Sequence, residues 1–272
     1  TVIHPEDLEQ LVFSVKEPMY RTGFDRNLWL WEQYSPASSY LMVADVARGD
    51  GADFSVFHIV KLETMEIIGE YRGKPNLEEF ASILDTTGRE FGNCLMVVEN
   101  NSLGISILEK LQARDYPNIY HSIKGTHEYI DQVQAQSVTN SIAGFTTSSK
   151  TRPLIVAKME EFIRNKLITI YSSRLVDEFK TFIWNNNKAQ AMRSYHDDLV
   201  MALAIGCWVR DTALTTNQRD LEYKKAMVGS MMLKNKTFQT QNPGANPMHQ
   251  GLTQEQRETQ QNYSDFVWLL KG

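Results

Sequence analysis

The stretch CLMVVE, residues 94–99, limits the fold more than any other feature of this sequence. It is a continuous apolar run with β-branched residues, which is typical of a strand covered on both faces rather than of a strand with one face in water. A chain with such a strand must place helices on both sides of its sheet. The run ends on Glu99, and a carboxylate at the end of a buried strand is costly unless it has a partner. The sequence therefore predicts a helix-covered sheet with an acid at the end of its central strand.

The segments around this run supply further strands and helices. Short apolar stretches with turn signals between them predict three consecutive strands: YLMVADVA (40–47), FSVFHIVKL (54–62) and MEIIGEYRG (65–73). Apolar spacing predicts helices at 75–92, 102–114, 151–167, 173–182 and 196–211, and a strand at 119–123. The first of these helices begins with a capping-box pattern, Asn76 and Glu79. The order of elements favours an α/β fold, a mixed sheet flanked by helices, with a small hairpin at 182–193 and a polar flap at 124–150.

Length and composition divide the chain into three parts. Its 272 residues, 42% of them hydrophobic, are enough for one large domain with appendages. We predict a connector at 1–36, the main domain at 37–211, and an extension at 212–272 that is largely disordered because it is polar and rich in Gln and Asn. No apolar run approaches the roughly 20 residues of a membrane span, so we expect a soluble intracellular protein without a membrane partner. Cys94 and Cys207 lie in apolar segments and are expected to be buried thiols.

The charge of the chain is unevenly distributed. The net charge of −5 at first argues against a nucleic-acid partner, yet residues 145–193 hold nine Lys or Arg against four Asp or Glu. A basic sector beside an acidic site is what an enzyme needs if it binds phosphates and also holds cations. A solvated helix face with extra lysines explains the charge equally well.

Acids follow the predicted elements at points that could converge. Asp45 stands near the end of the first predicted strand, Glu99 ends the buried run, and Asp197 and Asp198 open the last helix. Carboxylates brought this close repel one another unless a cation neutralises them. Oxygen ligands without cysteine select Mg²⁺ or Mn²⁺. Two such ions, about 3.5–4 Å apart, can activate a water and stabilise the leaving oxygen in phosphodiester cleavage.

Each acid also has a purely structural interpretation. A carboxylate after a strand is often a turn former, and an acid at a helix start is often a cap. Either His196 or Asp197 can cap the last helix, and the sequence does not decide which of Asp197 and Asp198 faces the site. His196 is interpreted as a cap or as a residue that supports the metal ligands. Asp53 lies where the second strand begins and is a candidate accessory ligand.

Three motifs carry a resemblance to a known family. The stretches ADVARGDGADFSVFHIV (44–60), VVENNSLG (97–104) and YHDDLVMALAIG (195–206) occur in this order, with SRLVDEFKTFIW (173–184) between the last two. In order and spacing they resemble the C-terminal nuclease domain of the large terminase subunit of T-even-like tailed bacteriophages. The resemblance covers residues 29–210 and implies an RNase H/integrase-like fold.

The family's metal-binding triad is an Asp on the first strand, a Glu after the fourth and an Asp in the late helix. Carried onto this sequence, the resemblance implies that Asp45, Glu99 and one of Asp197 and Asp198 are catalytic metal ligands. We favour Asp198 as the acid that faces the site, with Asp53 assisting. The implied activity is that of a Mg²⁺- or Mn²⁺-dependent endonuclease with two bound ions. It would cut concatemeric double-stranded viral DNA when headful packaging begins and ends.

The resemblance also implies partners and a DNA-binding surface. Cutting with little sequence preference suits recognition of the DNA backbone by Lys and Arg, and the candidates in the basic sector are Lys166, Arg174 and Lys188. The implied partners are an N-terminal ATPase domain, the capsid portal and the small terminase subunit, in the host cell cytoplasm. No G-x-x-x-x-G-K-[ST] motif occurs in these 272 residues, so we expect an isolated nuclease domain that does not hydrolyse ATP.

Two other functions are compatible with the same residues. One is another RNase H-like nuclease, such as a junction resolvase, which would prefer branched DNA to linear duplex. The other is a non-catalytic module that docks to DNA or to the portal. A metal-dependent cleavage assay separates the second from both nucleases.

Overall fold

A mixed sheet of six strands with helices on both faces organises the residues that the structure describes. The structure is a computed structural model, and it describes residues 1–47, 51, 53–124, 129, 130, 132–186 and 188–211. All of them fall in the first of the two units into which the chain divides, Thr1–Gln218. Within these residues, no helix combines the length and the apolarity of a membrane span. The extension predicted at 212–272 lies outside the described residues.

The elements are numbered along the chain. The strands are β1 (Tyr20–Thr22), β2 (Leu28–Leu30), β3 (Tyr40–Asp45), β4 (Ser55–Lys61), β5 (Glu66–Gly73), β6 (Leu95–Val98), β7 (His121–Ile123), β8 (Tyr129–Ile130), β9 (Ser141–Ala143), β10 (Phe182–Asn185) and β11 (Lys188–Ala191). The helices are α1 (Pro5–Ser14), α2 (Leu77–Glu90), α3 (Leu103–Ala113), α4 (Gln132–Ala135), α5 (Thr151–Arg164), α6 (Ser173–Thr181) and α7, which is helical over residues 198–211.

The main sheet has the strand order β1-β2-β5-β4-β3-β6. β3 and β6 run parallel, and the other neighbouring pairs are antiparallel. The predicted hairpin-connected strands at 40–73 and the strand at 94–99 are therefore confirmed. α2 begins behind Asn76, whose side chain accepts from the Glu79 backbone in the predicted capping box.

The side chains of β3 alternate between two buried faces. Leu41 and Val43 pack into the core shared with α5, α6 and α7, while Met42 and Ala44 pack into the core shared with α2 and α3. The residues of β6 alternate between the same two cores. Because helices cover both faces, the central strands carry no polar alternation, as CLMVVE predicts.

The segment predicted as a connector contributes to this sheet. β2 pairs with β5, with Leu30 opposite Gly69, and β1 adds a further strand beyond it. This pairing covers the edge of β5 that would otherwise present free backbone groups. The role of residues 1–36 as a connector to another domain stays a prediction.

Residues 119–150 contain more regular structure than their polar composition predicts. β7 lies in a separate sheet of order β8-β7-β9, and α4 follows β8. The strand predicted at 119–123 meets the main sheet through a single parallel bridge between Met96 and Ile119. Residues 125–128 and 131 of the predicted flap lie outside the described residues. The hairpin predicted at 182–193 is confirmed as β10 and β11.

The chain turns sharply between β6 and α3. The backbone of Gly104 passes so close to Glu99 that a Cβ atom at this position would overlap the Glu99 carbonyl oxygen. The atom that it would meet belongs to the backbone, so it cannot move aside as a flexible side chain would. Glycine at this position is therefore a condition for placing Glu99 directly after β6.

Replacing Gly104 with alanine should destabilise the fold by about 1–3 kcal/mol, because the added methyl group displaces backbone. The matched control is Gly51→Ala, since a Cβ there meets nothing within 4 Å, and a change within about 0.5 kcal/mol is expected. Chemical denaturation of both variants and wild type measures the difference. Equal stabilities would contradict the close approach at Gly104.

Candidate metal centre

Two of the predicted acids lie side by side at the end of the parallel strands. The register of β3 and β6 pairs Ala44 with Val98, so Asp45 and Glu99 are the next residues on neighbouring strands. The Glu99 backbone N–H donates to the carbonyl of Ala44 at 2.9 Å, which continues the strand pairing by one step. Both carboxylates consequently emerge at the same end of the sheet.

The third acid comes from the first turn of α7. Asp198 is 15% exposed at its side chain, and its Oδ2 accepts the backbone N–H of Phe54 at 3.0 Å, just before β4. The charge of Asp198 acts on Asp45, as does that of Glu99. The structure thus brings Asp45, Glu99 and Asp198 together at one end of the sheet.

Asp197 faces away from this group. Its backbone carbonyl accepts the first helical hydrogen bond of α7, from the Met201 N–H at 2.8 Å, so Asp197 stands at the N-cap. Its carboxylate pairs with Arg152 at 2.7 Å. Of the two acids that the sequence leaves open, Asp198 is therefore the one that lies beside Asp45.

A second set of ligand atoms shares Asp198. Within the described part of the chain, one ligand atom each from Asp53, His196 and Asp198 lies within 4.8 Å of the others. The His196 Nδ1 is 3.8 Å from an oxygen of Asp53 and 3.8 Å from an oxygen of Asp198. The Asp53 side chain is 77% exposed, so this set opens to solvent. Asp198 is the residue common to both sets.

Crowding changes the proton affinity of these acids. The pKa of Asp45 is raised well above its ordinary value, first by burial and then by the charge and hydrogen bonding of Glu99 and the charge of Asp198. The pKa of Asp198 is also raised, first by burial; the Phe54 N–H opposes this shift and Asp53 adds to it. In the absence of a cation, Asp45 and Asp198 therefore bind protons more tightly in the folded protein than they would in water.

Neighbouring polar groups hold Glu99 in place. The Asn101 side-chain amide donates to Glu99 Oε1 at 3.0 Å and to the carbonyl of Thr147 at 2.8 Å. The backbone bridge between Glu99 and Phe145 runs alongside. Asn101 follows Glu99 by two residues, so the motif VVENN carries both the acid and the amide that orients it.

Two basic residues, one in β5 and one just after it, contact the ring of Phe54, whose backbone N–H donates to Asp198. The Arg72 guanidinium lies 4.1 Å and the Lys74 ammonium 4.6 Å from the centroid of the Phe54 ring. The His196 ring meets Phe54 edge-on at 5.1 Å. Such cation–π contacts hold cations over the ring without neutralising them. The count of basic residues predicted a basic sector at 145–193 and did not include Arg72 and Lys74. These two could have been found from their position at the end of β5, the strand that pairs with β4.

The three predicted DNA-binding residues lie in different places. Lys188 lines a cavity of about 530 Å³ together with Arg152, Trp184 and Thr147. The Thr147 carbonyl accepts from the Asn101 amide that also holds Glu99, which links this cavity to the acids. Lys166 follows the far end of α5 from Arg152, roughly 20 Å away for a helix of this length.

Arg174 is occupied within the protein. Its guanidinium pairs with the buried Glu70 at 2.7 Å and stacks 3.7 Å from the Trp29 ring centroid. Because these contacts take up the charge, we leave Arg174 and the distant Lys166 out of the proposed DNA-binding surface and keep Lys188.

Comparison with known proteins bears on the fold. No protein-family model matches the sequence. The large terminase nuclease from the thermophilic phage G20c, in its crystal structure with bound magnesium, has a TM-score of 0.55 and 19% sequence identity, covering 74% of this chain and 95% of that chain. Its crystal structure with bound cobalt gives the same values.

A second terminase nuclease is similar to the same extent. The large terminase nuclease domain of Thermus phage P74-26 has a TM-score of 0.54 and 18% identity, covering 73% of this chain and 92% of that chain. At this identity the likeness establishes the fold. The chain has the helix-flanked, RNase H-like mixed sheet of these nuclease domains, which confirms the predicted fold class.

The raised pKa values predict how stability depends on pH. Acids with a folded pKa above the unfolded value bind more protons in the folded state, so the free energy of unfolding falls as the pH rises from the unfolded to the folded pKa. For metal-free protein, the thermal midpoint should fall as the pH rises above the ordinary carboxyl range, and Mg²⁺ should restore it because a cation stabilises the ionised acids.

The control for this prediction is Asp45→Asn, which removes one of the titrating acids. Its thermal midpoint in EDTA should fall less over the same pH range and should respond less to Mg²⁺. Identical pH profiles for the variant and wild type would contradict the assignment of the proton to the crowded acids.

Proposed function

We propose that this chain is the nuclease domain of a large terminase subunit of a T-even-like tailed bacteriophage, a Mg²⁺- or Mn²⁺-dependent endonuclease for double-stranded DNA. The observation that carries the proposal is the position of Asp198. This one carboxylate belongs both to the half-buried set with Asp45 and Glu99 and to the more open set with Asp53 and His196. Two adjacent groups of ligands that share one acid suit two neighbouring cations.

The residues fit a hard divalent cation. Three carboxylates with oxygen donors and no cysteine are the ligands that Mg²⁺ and Mn²⁺ prefer. The pKa of Asp45 and of Asp198 is raised, first by burial and then by neighbouring carboxylates, and a bound cation would stabilise their ionised forms. Asp45, Glu99 and Asp198 would hold the cation, with Asp53 assisting. When bound, it would supply an activated water and stabilise the leaving oxygen of a phosphodiester. The magnesium-bound G20c nuclease, which has the same fold, supports this choice.

The residues around the acids suit a DNA substrate. Arg72 and Lys74 lie over the ring of Phe54, whose backbone N–H donates to Asp198, and Lys188 lines a cavity with Trp184 and Arg152. Phosphate contacts of this kind position a duplex without reading its sequence. The His196 Nδ1 lies 3.8 Å from an oxygen of Asp53 and 3.8 Å from an oxygen of Asp198, where it could assist the acids as a neutral ligand.

The biological setting follows from the family. We propose that the domain cuts concatemeric viral DNA at the start and end of headful packaging, in the host cell cytoplasm. Its proposed partners are an ATPase domain, the capsid portal and the small terminase subunit. The similarity of fold to two terminase nucleases supports this setting.

Mg²⁺-dependent cleavage of linear duplex DNA should fall to background in each of three variants: Asp45→Asn, Asp198→Asn and Glu99→Gln. Each change removes a negatively charged ligand of the proposed metal centre. Asp197→Asn should retain measurable cleavage, since this acid pairs with Arg152. Asp177→Asn, at an exposed position, should cleave as wild type does. The assay is conversion of a supercoiled plasmid to nicked and linear forms.

The same assay tests the competing functions. Full cleavage by Asp198→Asn, or an Asp197→Asn variant as inactive as Asp198→Asn, would contradict the assignment of Asp198. Rapid cutting of a four-way junction with slow cutting of linear duplex would favour a junction resolvase. If wild type does not cleave with either metal, the docking module becomes the better interpretation.

Alanine at Lys188 or Lys74 should weaken DNA binding at all sequences and lower the salt-dependence slope by about 1, the loss of one phosphate contact. The matched control is Lys166→Ala, an exposed lysine at the far end of α5. All variants are made in the Asp45→Asn background so that binding is measured without cleavage. Equal slopes for Lys188→Ala, Lys74→Ala and Lys166→Ala would exclude the surface beside the acids as the DNA-binding surface.

A further inference from the structure

The start of α7 lacks the capping interaction that its sequence offers. The first N–H groups of a helix have no partner within the helix, and an Asp at the N-cap usually accepts one of them through its side chain. Asp197 stands at this N-cap, but its carboxylate pairs with Arg152 instead. The N–H groups that follow Asp198 therefore need another acceptor.

Glu178 of α6 provides this acceptor from a different helix. Its Oε2 accepts the backbone N–H of Leu199 at 2.9 Å and that of Val200 at 3.3 Å. Glu178 is only 4% exposed and lies on the buried face of α6 with Leu175 and Phe179. A carboxylate in such a place is costly to bury, and two backbone hydrogen bonds offset part of that cost.

The residue after Asp198 is held at both of its backbone polar groups. The carbonyl of Leu199 lies 2.9 Å from Nε2 of the buried His58, on β4. His58 stands opposite Glu70 in the register of β4 and β5, and Glu70 pairs with Arg174. Side chains of the sheet and of α6 thus hold Leu199 from two directions.

Arg72 links this arrangement to the surface of the metal centre. Its Nε lies 3.9 Å from Oε1 of Glu178, and its guanidinium covers the ring of Phe54. The backbone N–H of Phe54 in turn donates to Asp198. The buried carboxylate and the metal-facing carboxylate are therefore joined through two routes, one along α7 and one through Arg72 and Phe54.

We infer that Glu178 is a positioning residue that caps α7 from α6 and so holds the Asp198 carboxylate at the cation site, leaving Asp197 to pair with Arg152. The inference rests on the proposed role of Asp198 as a cation ligand. A buried carboxylate stabilises a fold less than an apolar side chain of similar volume does. The presence of a carboxylate at this buried position is explained by its role in positioning Asp198.

The test compares two substitutions of similar length. Glu178→Gln keeps a side-chain oxygen that can accept the two N–H groups, whereas Glu178→Met fills the same space without a strong acceptor. Neither leaves an unpaired buried charge in α6, so both are expected to fold. The neighbouring Asp177→Asn is the matched control, because Asp177 is exposed and pairs with Lys180.

Mn²⁺ affinity, measured from the electron paramagnetic resonance signal of free Mn²⁺, is the primary readout. Glu178→Met should weaken Mn²⁺ binding by about 10–100-fold, as loss of a group that orients a ligand does. Glu178→Gln should restore affinity to within about threefold of wild type, a difference of less than about 0.7 kcal/mol. The Mn²⁺ concentration that gives half-maximal cleavage should shift in parallel.

Three other outcomes would contradict either the role of Glu178 or the proposed function, and they can be told apart. If Glu178→Met binds Mn²⁺ as wild type does, with or without a change in thermal stability, Glu178 does not position Asp198. If Glu178→Gln is as weak as Glu178→Met, the carboxylate acts through its charge and the capping role is wrong. If wild type itself binds no Mn²⁺, the proposed function fails before the role of Glu178 is reached.

Discussion

Repulsion between carboxylates at one end of the sheet is the constraint on which the rest of this structure depends. Asp45, Glu99 and Asp198 meet there, and burial and like charge raise the pKa of Asp45 and of Asp198. The protein offsets this repulsion only in part, through the amide of Asn101 and the backbone N–H of Phe54. What is left is charge that a hard divalent cation can neutralise. A fold that keeps such a site exchanges stability for function, as enzyme sites commonly do.

The three acids lie on elements that are far apart in the sequence, namely β3, the end of β6 and α7. The parallel register of β3 and β6 places two of them on neighbouring strands. The third depends on how α7 begins, and that start is set by contacts with Arg152 and Glu178, each from another helix. The centre is therefore built on rigid elements, which is what precise placement of ligands requires.

Much of the fold and part of the site could be predicted from the sequence. Apolar runs ending in Asp45 and Glu99 located two acids of the candidate site, because strand ends are local features. The residues alone left Asp197 and Asp198 open, and only the family resemblance favoured Asp198, because the position of Asp197 depends on Arg152, 45 residues away in the chain. The burial of Glu178 could have been predicted from its spacing. It follows Leu175 by three residues and so falls on the apolar face of α6.

The central claim is that the crowded acids bind a divalent cation through Asp198 and not through Asp197. The most direct measurement is an anomalous difference map from crystals of the protein soaked in Mn²⁺. The account predicts a peak within coordination distance of Asp45 and Asp198, with Asp197 still paired to Arg152. A peak coordinated by Asp197, or saturating Mn²⁺ with no peak at these acids, would contradict it.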